Sequence, residues 1–222
     1  MARTDTATPQ PPRLPQRRPL DDHDGAALEP GEEYDGVRFA DADLSRQAAP
    51  DARFIGCALA RCSLDDSGLQ GSSFVEVTID GTRSAATDLA DAQLTDVAVA
   101  DSRFAGTELR GAVLKRVVFR DCKLDAVNFR TASLLDVAFE RCMLDEPDFG
   151  SATLRRVRFD ACRLVAADLS GAKLEDVDLR GSEIGIDRGY GSLGGAIVDT
   201  MQLVALAPAL ARHLGITVLD QE

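Results

Sequence analysis

The chain has 222 residues and a formal net charge of −12; an acid excess of this size repels nucleic-acid phosphates, so direct nucleic-acid binding is disfavoured. No apolar run approaches the ~18 residues that a membrane-spanning helix needs. Five Cys without a CxxC pair, behind an N-terminus lacking an apolar h-region, predict a reducing, cytoplasmic setting.

Residues 1–36 are rich in Pro, Asp, Arg and Gln. A segment of this composition buries too little apolar surface to offset its ordering entropy, and we expect a disordered N-terminal arm.

From Val37 to Ile186 the chain divides into fives without a gap, beginning VRFAD, ADLSR, QAAPD, ARFIG. Large apolar residues stand at the centres 39, 44, 49 and onward to 184, with Ala49 and Ser84 as the poor exceptions. All nine Phe sit at centres and all five Cys sit two residues earlier. A period of five fits neither a half-buried strand, which repeats every two residues, nor a helix, which repeats about every 3.6. It fits a short extended side carrying one large and one small inward residue, followed by a corner. Four such sides close a coil of twenty.

The sequence carries that second period. Small positions taken every twenty residues read Val37, Cys57, Val77, Val97, Val117, Val137, Val157, Val177 on one side. They read Ala52, Ser72, Ala92, Ala112, Ala132, Ala152, Ala172 on another and Ala42, Cys62, Thr82, Ser102, Cys122, Cys142, Cys162, Ser182 on a third. Each stacked column needs a constant volume to fill the interior. The predicted fold is an all-β solenoid, a right-handed quadrilateral parallel β-helix of about 7.5 coils, or ~36 Å at ~4.8 Å per coil.

Residues 187–222 read as a C-terminal helical module. Asp199 followed by Gln202 resembles a capping box. Pro208 suggests the start of a second helix, and Gly215 a stop. Met201, Val204, Leu206, Leu210 and Leu214 supply more apolar surface than one surface helix needs. We expect part of it to cap the last coil and the rest to suit a twofold dimer contact.

The motif A(D/N)LXX, as ADLSR at 42–46, TDLAD at 87–91, AVNFR at 126–130 and ADLSG at 167–171, resembles the pentapeptide-repeat family. The tail SLGGAIVDTMQLVALAPALARHLGI is similar to the C-terminal module of the family's mycobacterial fluoroquinolone-resistance members, dimers formed through that module. The resemblance implies a non-enzymatic, DNA-mimicking interactor of type II topoisomerase, with DNA gyrase as partner, inhibiting it or protecting it from quinolones or natural-product inhibitors. A structural or scaffolding interaction module is the alternative, because fold does not dictate function.

Candidate chemistry is sparse. Asp88, Glu108, Asp148 and Asp168, with Asn128 between them, form an acidic ladder one residue before the centres of one side. It reads either as a solvated face paired with the neighbouring Arg83, Arg103, Lys123 and Arg163, or as a stripe presented to a partner. Cys122, Cys142 and Cys162 read as packing groups. His23 and His213 are the only histidines, and no phosphate-binding glycine loop or nucleophile-elbow motif occurs. We assign no catalytic residue, metal site or cofactor.

Overall fold

A computed structural model describes residues 8–14 and 19–219. Its architecture is a right-handed parallel β-solenoid of about nine turns closed by a single C-terminal helix, ~43 Å long at ~4.8 Å per turn. Register gives the twenty-residue coil directly: Leu94 pairs with Leu114, Leu114 with Leu134 and Leu134 with Leu154. The strands Gln93–Ala100, Val113–Arg120, Ser133–Glu140 and Thr153–Asp160 each run across one corner and cover two sides.

Side-chain alternation puts the large centre and the small residue two before it inside. The valine column at 97, 117, 137, 157 and 177 is in register and buried. Phe119, Phe139 and Phe159 stack at centroid spacings of 5.0 and 4.8 Å, and Phe129 on Phe149 at 4.9 Å. Ring spacing thus equals strand spacing, so each coil's ring fills the height that its backbone ladder sets. The polar centre Ser84 is buried without an orphaned hydroxyl. Its Oγ donates to Thr87 Oγ1, and Thr107 Oγ1 donates to the Ser84 carbonyl.

Every fifth residue from Gly31 to Gly181 has a positive φ, and most of these corner residues are not glycine. An L-residue adopts this left-handed conformation at a cost of ~1 kcal/mol or more. Stacking offsets it: Asp41 N–H donates to Ala60 O, Arg61 N–H to Asp80 O and Asp121 N–H to Glu140 O, at 2.8, 2.8 and 3.0 Å. The corner is the conformation that aims each amide at the next coil.

Three expectations need correction. The solenoid has about nine turns rather than 7.5, because it starts before Val37. Glu33–Asp35 pairs with Arg53–Ile55, and Tyr34 stacks on Phe54 at 5.2 Å. Residues 21–36 are therefore part of the solenoid rather than a disordered arm: Asp21–Asp22 pairs with Val37–Arg38, Leu28 is buried, and the His23 ring lies 4.4 Å from that of Phe39. Residues 1–7 and 15–18 of the expected arm lie outside the described residues. Finally, there is one C-terminal helix, Thr200–His213, with Pro208 inside it rather than beginning a second.

At the C-terminal end the twenty-residue register slips, Ala167 pairing with Ile186 and Val177 with Ala196. The chain leaves the coil there against its own backbone. A Cβ on Gly195 would stand 2.0 Å from Leu174 O and one on Gly189 2.2 Å from Leu169 C, both at positive φ. Only glycine fits these two places.

Candidate interaction surfaces

The acidic ladder is in register, with Asp88 opposite Glu108, Glu108 opposite Asn128, Asn128 opposite Asp148 and Asp148 opposite Asp168. Its side chains are largely hydrogen-bonded. Asp88 accepts from Gln70 Nε2 at 2.6 Å, Glu108 accepts from Asn128 Nδ2 at 2.7 Å, and Arg130 lies 3.2 Å from Asp148. Asp88, Asn128, Asp148 and Asp168 each also accept the backbone N–H two residues on. These local turns draw Asp and Asn to this position. Bonding to Ser170 holds the Asp168 carboxyl below the usual carboxylate range. The neighbouring column Arg83, Arg103, Lys123, Met143, Arg163 is likewise in register, and its arginines reach Asp65, Asp125 and Glu183. The flank is a patchwork of ion pairs.

A second ladder went unrecognised in the sequence. The corner residues Asp96, Arg116, Asp136 and Arg156 alternate in sign at intervals of twenty. Arg116 grips Asp96 through Nε at 2.6 Å and an η nitrogen at 2.5 Å. Arg156 grips Asp136 the same way at 2.8 and 2.7 Å. Fork-to-carboxylate pairing of this kind is directional and strong, and the two guanidiniums hold both carboxyls below their ordinary range. The signal was available as period-twenty alternation at corner positions.

The terminal helix divides its apolar residues. Asp199 and Gln202 form the expected capping box. Gln202 Nε2 also donates to Leu179 O and Ser182 O, at 2.6 and 2.7 Å, and so satisfies carbonyls of the last coil. Leu206 is buried and Leu210 packs against the core. Met201, Val204 and Leu214 are exposed, together with Leu203 and Ile216. The helix ends in a Schellman pair, Ile216 N–H to Ala211 O and Gly215 N–H to Arg212 O.

All five cysteines are free and buried. Cys62, Cys142 and Cys162 each lend a thiol to backbone carbonyls, and burial pushes the Cys57 and Cys62 thiols up. Among the described residues no group of three or more His, Cys, Asp or Glu is placed to hold a metal ion, and no helix is long and apolar enough to cross a membrane.

Family models for the pentapeptide repeat region and for pentapeptide repeats (8 copies) match residues 112–186 and 92–130. Residues 92–186 belong to the pentapeptide-repeat family. No curated protein matches this pentapeptide-repeat chain significantly. Among solved structures it is similar to full-length QnrB1, a plasmid-mediated fluoroquinolone resistance protein. Identity is 17%, coverage is 88% of this chain and 100% of that one, and the TM-score is 0.43. It is also similar to HetL, a pentapeptide repeat protein involved in heterocyst differentiation regulation from a Nostoc cyanobacterium, at 19% identity. That match covers 76% of this chain and 84% of HetL, with a TM-score of 0.29. Likeness at these levels concerns the fold alone.

Proposed function

We propose that this pentapeptide-repeat protein is a non-catalytic interaction rod whose partner is a type II topoisomerase, DNA gyrase, which it inhibits or shields from quinolones or natural-product inhibitors. The observation that carries the reading is the shape and sign of the body, an uninterrupted solenoid of about nine turns in a chain of net charge −12. Such a rod complements a cationic groove built for duplex DNA. The resemblance of the tail to a dimerisation module supports a homodimer, for which the exposed Met201, Val204 and Leu214 are the proposed contact. Asp88, Glu108, Asp148 and Asp168 are the proposed partner-facing stripe. The test is a gyrase supercoiling assay with and without a quinolone. Inhibition or protection at micromolar protein is the expected result; neither effect would sink the topoisomerase reading.

The ion-paired flank favours a second reading, a scaffold that binds proteins of another kind. Arg130 pairs with Asp148 and Arg188 lies 4.0 Å from Asp168, so the stripe's field is weaker than that of a phosphate backbone. Charge reversal at Asp88 and Asp168 tests the stripe: loss of gyrase inhibition with an unchanged fold supports mimicry through it, unchanged inhibition removes the stripe from the contact, and no gyrase effect from the unaltered chain leaves the scaffold.

A further inference from the structure

The segment Thr8–Leu14 lies along the outer wall of the solenoid. Gln10 N–H donates to Asp136 Oδ1 at 3.2 Å, and Arg13 N–H donates to Asp96 Oδ1 at 2.8 Å. Asp96 and Asp136 occupy the same corner two coils apart, a distance of ~9.6 Å. Gln10 and Arg13 are three residues apart. Three residues of polyproline II make one turn and advance ~9.3 Å, and Pro9, Pro11 and Pro12 fix φ near that conformation. One turn of such a segment therefore equals two coils of the solenoid. Its amides at i and i+3 meet successive carboxylates of like sign, while the prolines at 11 and 12 have no N–H to leave unbonded.

The wall beneath matches. Strand alternation turns residues 98, 118, 138 and 158 outward, and in this column Ala98, Val118 and Ala138 are apolar where polar residues are the rule for the phase. A cavity of about 100 Å³ under the segment is lined by Pro9, Pro11, Pro12, Val118 and Ala138, and Val118 is only 3% exposed. A second corner of the same molecule provides the comparison. Arg61 grips Asp41 and Arg141 grips Asp121 with the same forked geometry. There the carboxylates are 64% and 44% exposed, against 8% and 4% for Asp96 and Asp136.

We propose that the corner of Asp96, Arg116, Asp136 and Arg156, with the adjoining Val118–Ala138 wall, is a docking groove for an extended proline-rich segment, and that residues 8–14 of this chain are its resident occupant. The arginines orient the carboxylates, the carboxylates read two backbone amides one turn apart, and the apolar wall receives the prolines. A partner that uses this wall must first displace the strap.

Hydrogen–deuterium exchange on the full chain tests this. Prolines carry no amide, so within 8–14 the signal comes from Thr8, Gln10, Arg13 and Leu14 alone. The expected result is two amides slowed at least ~10-fold below the unstructured rate. Val118→Arg places on the wall the residue type that stands at 38 and 158 of the same column, so the coil accommodates it. It should return both amides to the unstructured rate while the Thr200–His213 helix keeps its protection. Asp96→Ala should release Arg13 more than Gln10, with far-UV circular dichroism checking the fold. Unprotected amides in the unaltered chain, or protection that survives Val118→Arg, would overturn the proposal.

Discussion

Phe139 offers the sharpest test of how the interior is held. It is fully buried, stacked on Phe119 at 5.0 Å and Phe159 at 4.8 Å, and meets Phe129 edge-on at 6.4 Å. Phe139→Ala leaves a gap that the coils above and below cannot close, because their backbones are fixed by ladder hydrogen bonds. The cost should sit in the upper part of the ~3–5 kcal/mol range for burying an alanine in place of Phe. Phe139→Leu is gentler, since the same column carries Leu59, Ile79 and Val99 in register. It forfeits two stacked ring pairs and one edge-on pair, of which the two stacked ones are worth ~0.5–1.5 kcal/mol each. Urea unfolding followed by far-UV circular dichroism measures both, as the chain has no Trp. If Leu proves as costly as Ala, or Ala costs less than about 1.5 kcal/mol, the ring columns do not carry the packing assigned to them.

Ala132 is buried in the narrow alanine column, so Ala132→Leu should overpack that side and cost ~1–3 kcal/mol in thermal unfolding; a negligible shift would place the residue outside the core. Met201→Glu with Val204→Glu alters only exposed side chains, and light scattering should show the dimer falling to monomer mass with stability unchanged. A monomer before mutation would dispose of the interface. Stability should also depend on acid. Arginine partners hold Asp41, Asp96, Asp121 and Asp136 below the usual carboxylate range. A carboxylate depressed by folding stabilises above its unfolded pKa, near ~3.9, and loses that contribution as pH falls through the folded value. The unfolding midpoint should hold from neutrality to about pH 5 and drop below ~4. Replacing Asp96 and Asp136 by Asn should flatten the acid drop, and an unchanged slope would refute their role.

Much of the architecture was legible because it is written one residue at a time. The phase of Phe and Leu gave the inward centres, and the valine and alanine columns gave the coil of four sides. Asp199 and Gln202 gave the helix start. Tyr34 and Gly36 were equally legible, since the frame extends five residues back from Phe39 to Tyr34 and places Gly36 at a corner. Pro208 misled because a proline at a first turn and a proline inside a helix look alike in sequence; packing of Leu206 and Leu210 against the core keeps this helix continuous.

What remained belongs to stacking. Nothing about Arg61, Arg141 or Ala126 taken singly favours a left-handed backbone, yet each adopts one, because only there does its amide reach a carbonyl of the next coil. The acidic ladder was visible as residue types, but its pairing with Gln70 and Arg130, and of Asn128 with Glu108, depends on which side chains meet between coils. Asp96 and Asp136 are far in sequence from Arg13 and Gln10, and only the coil height brings them to the pitch of a proline-rich strand. Sequence alone determined the repeat and its inward residues, since these follow from local alternation and volume. The corner conformation, the partly ion-paired flank and the strapped wall were decided by the tertiary structure, because each is a relation between residues on different coils.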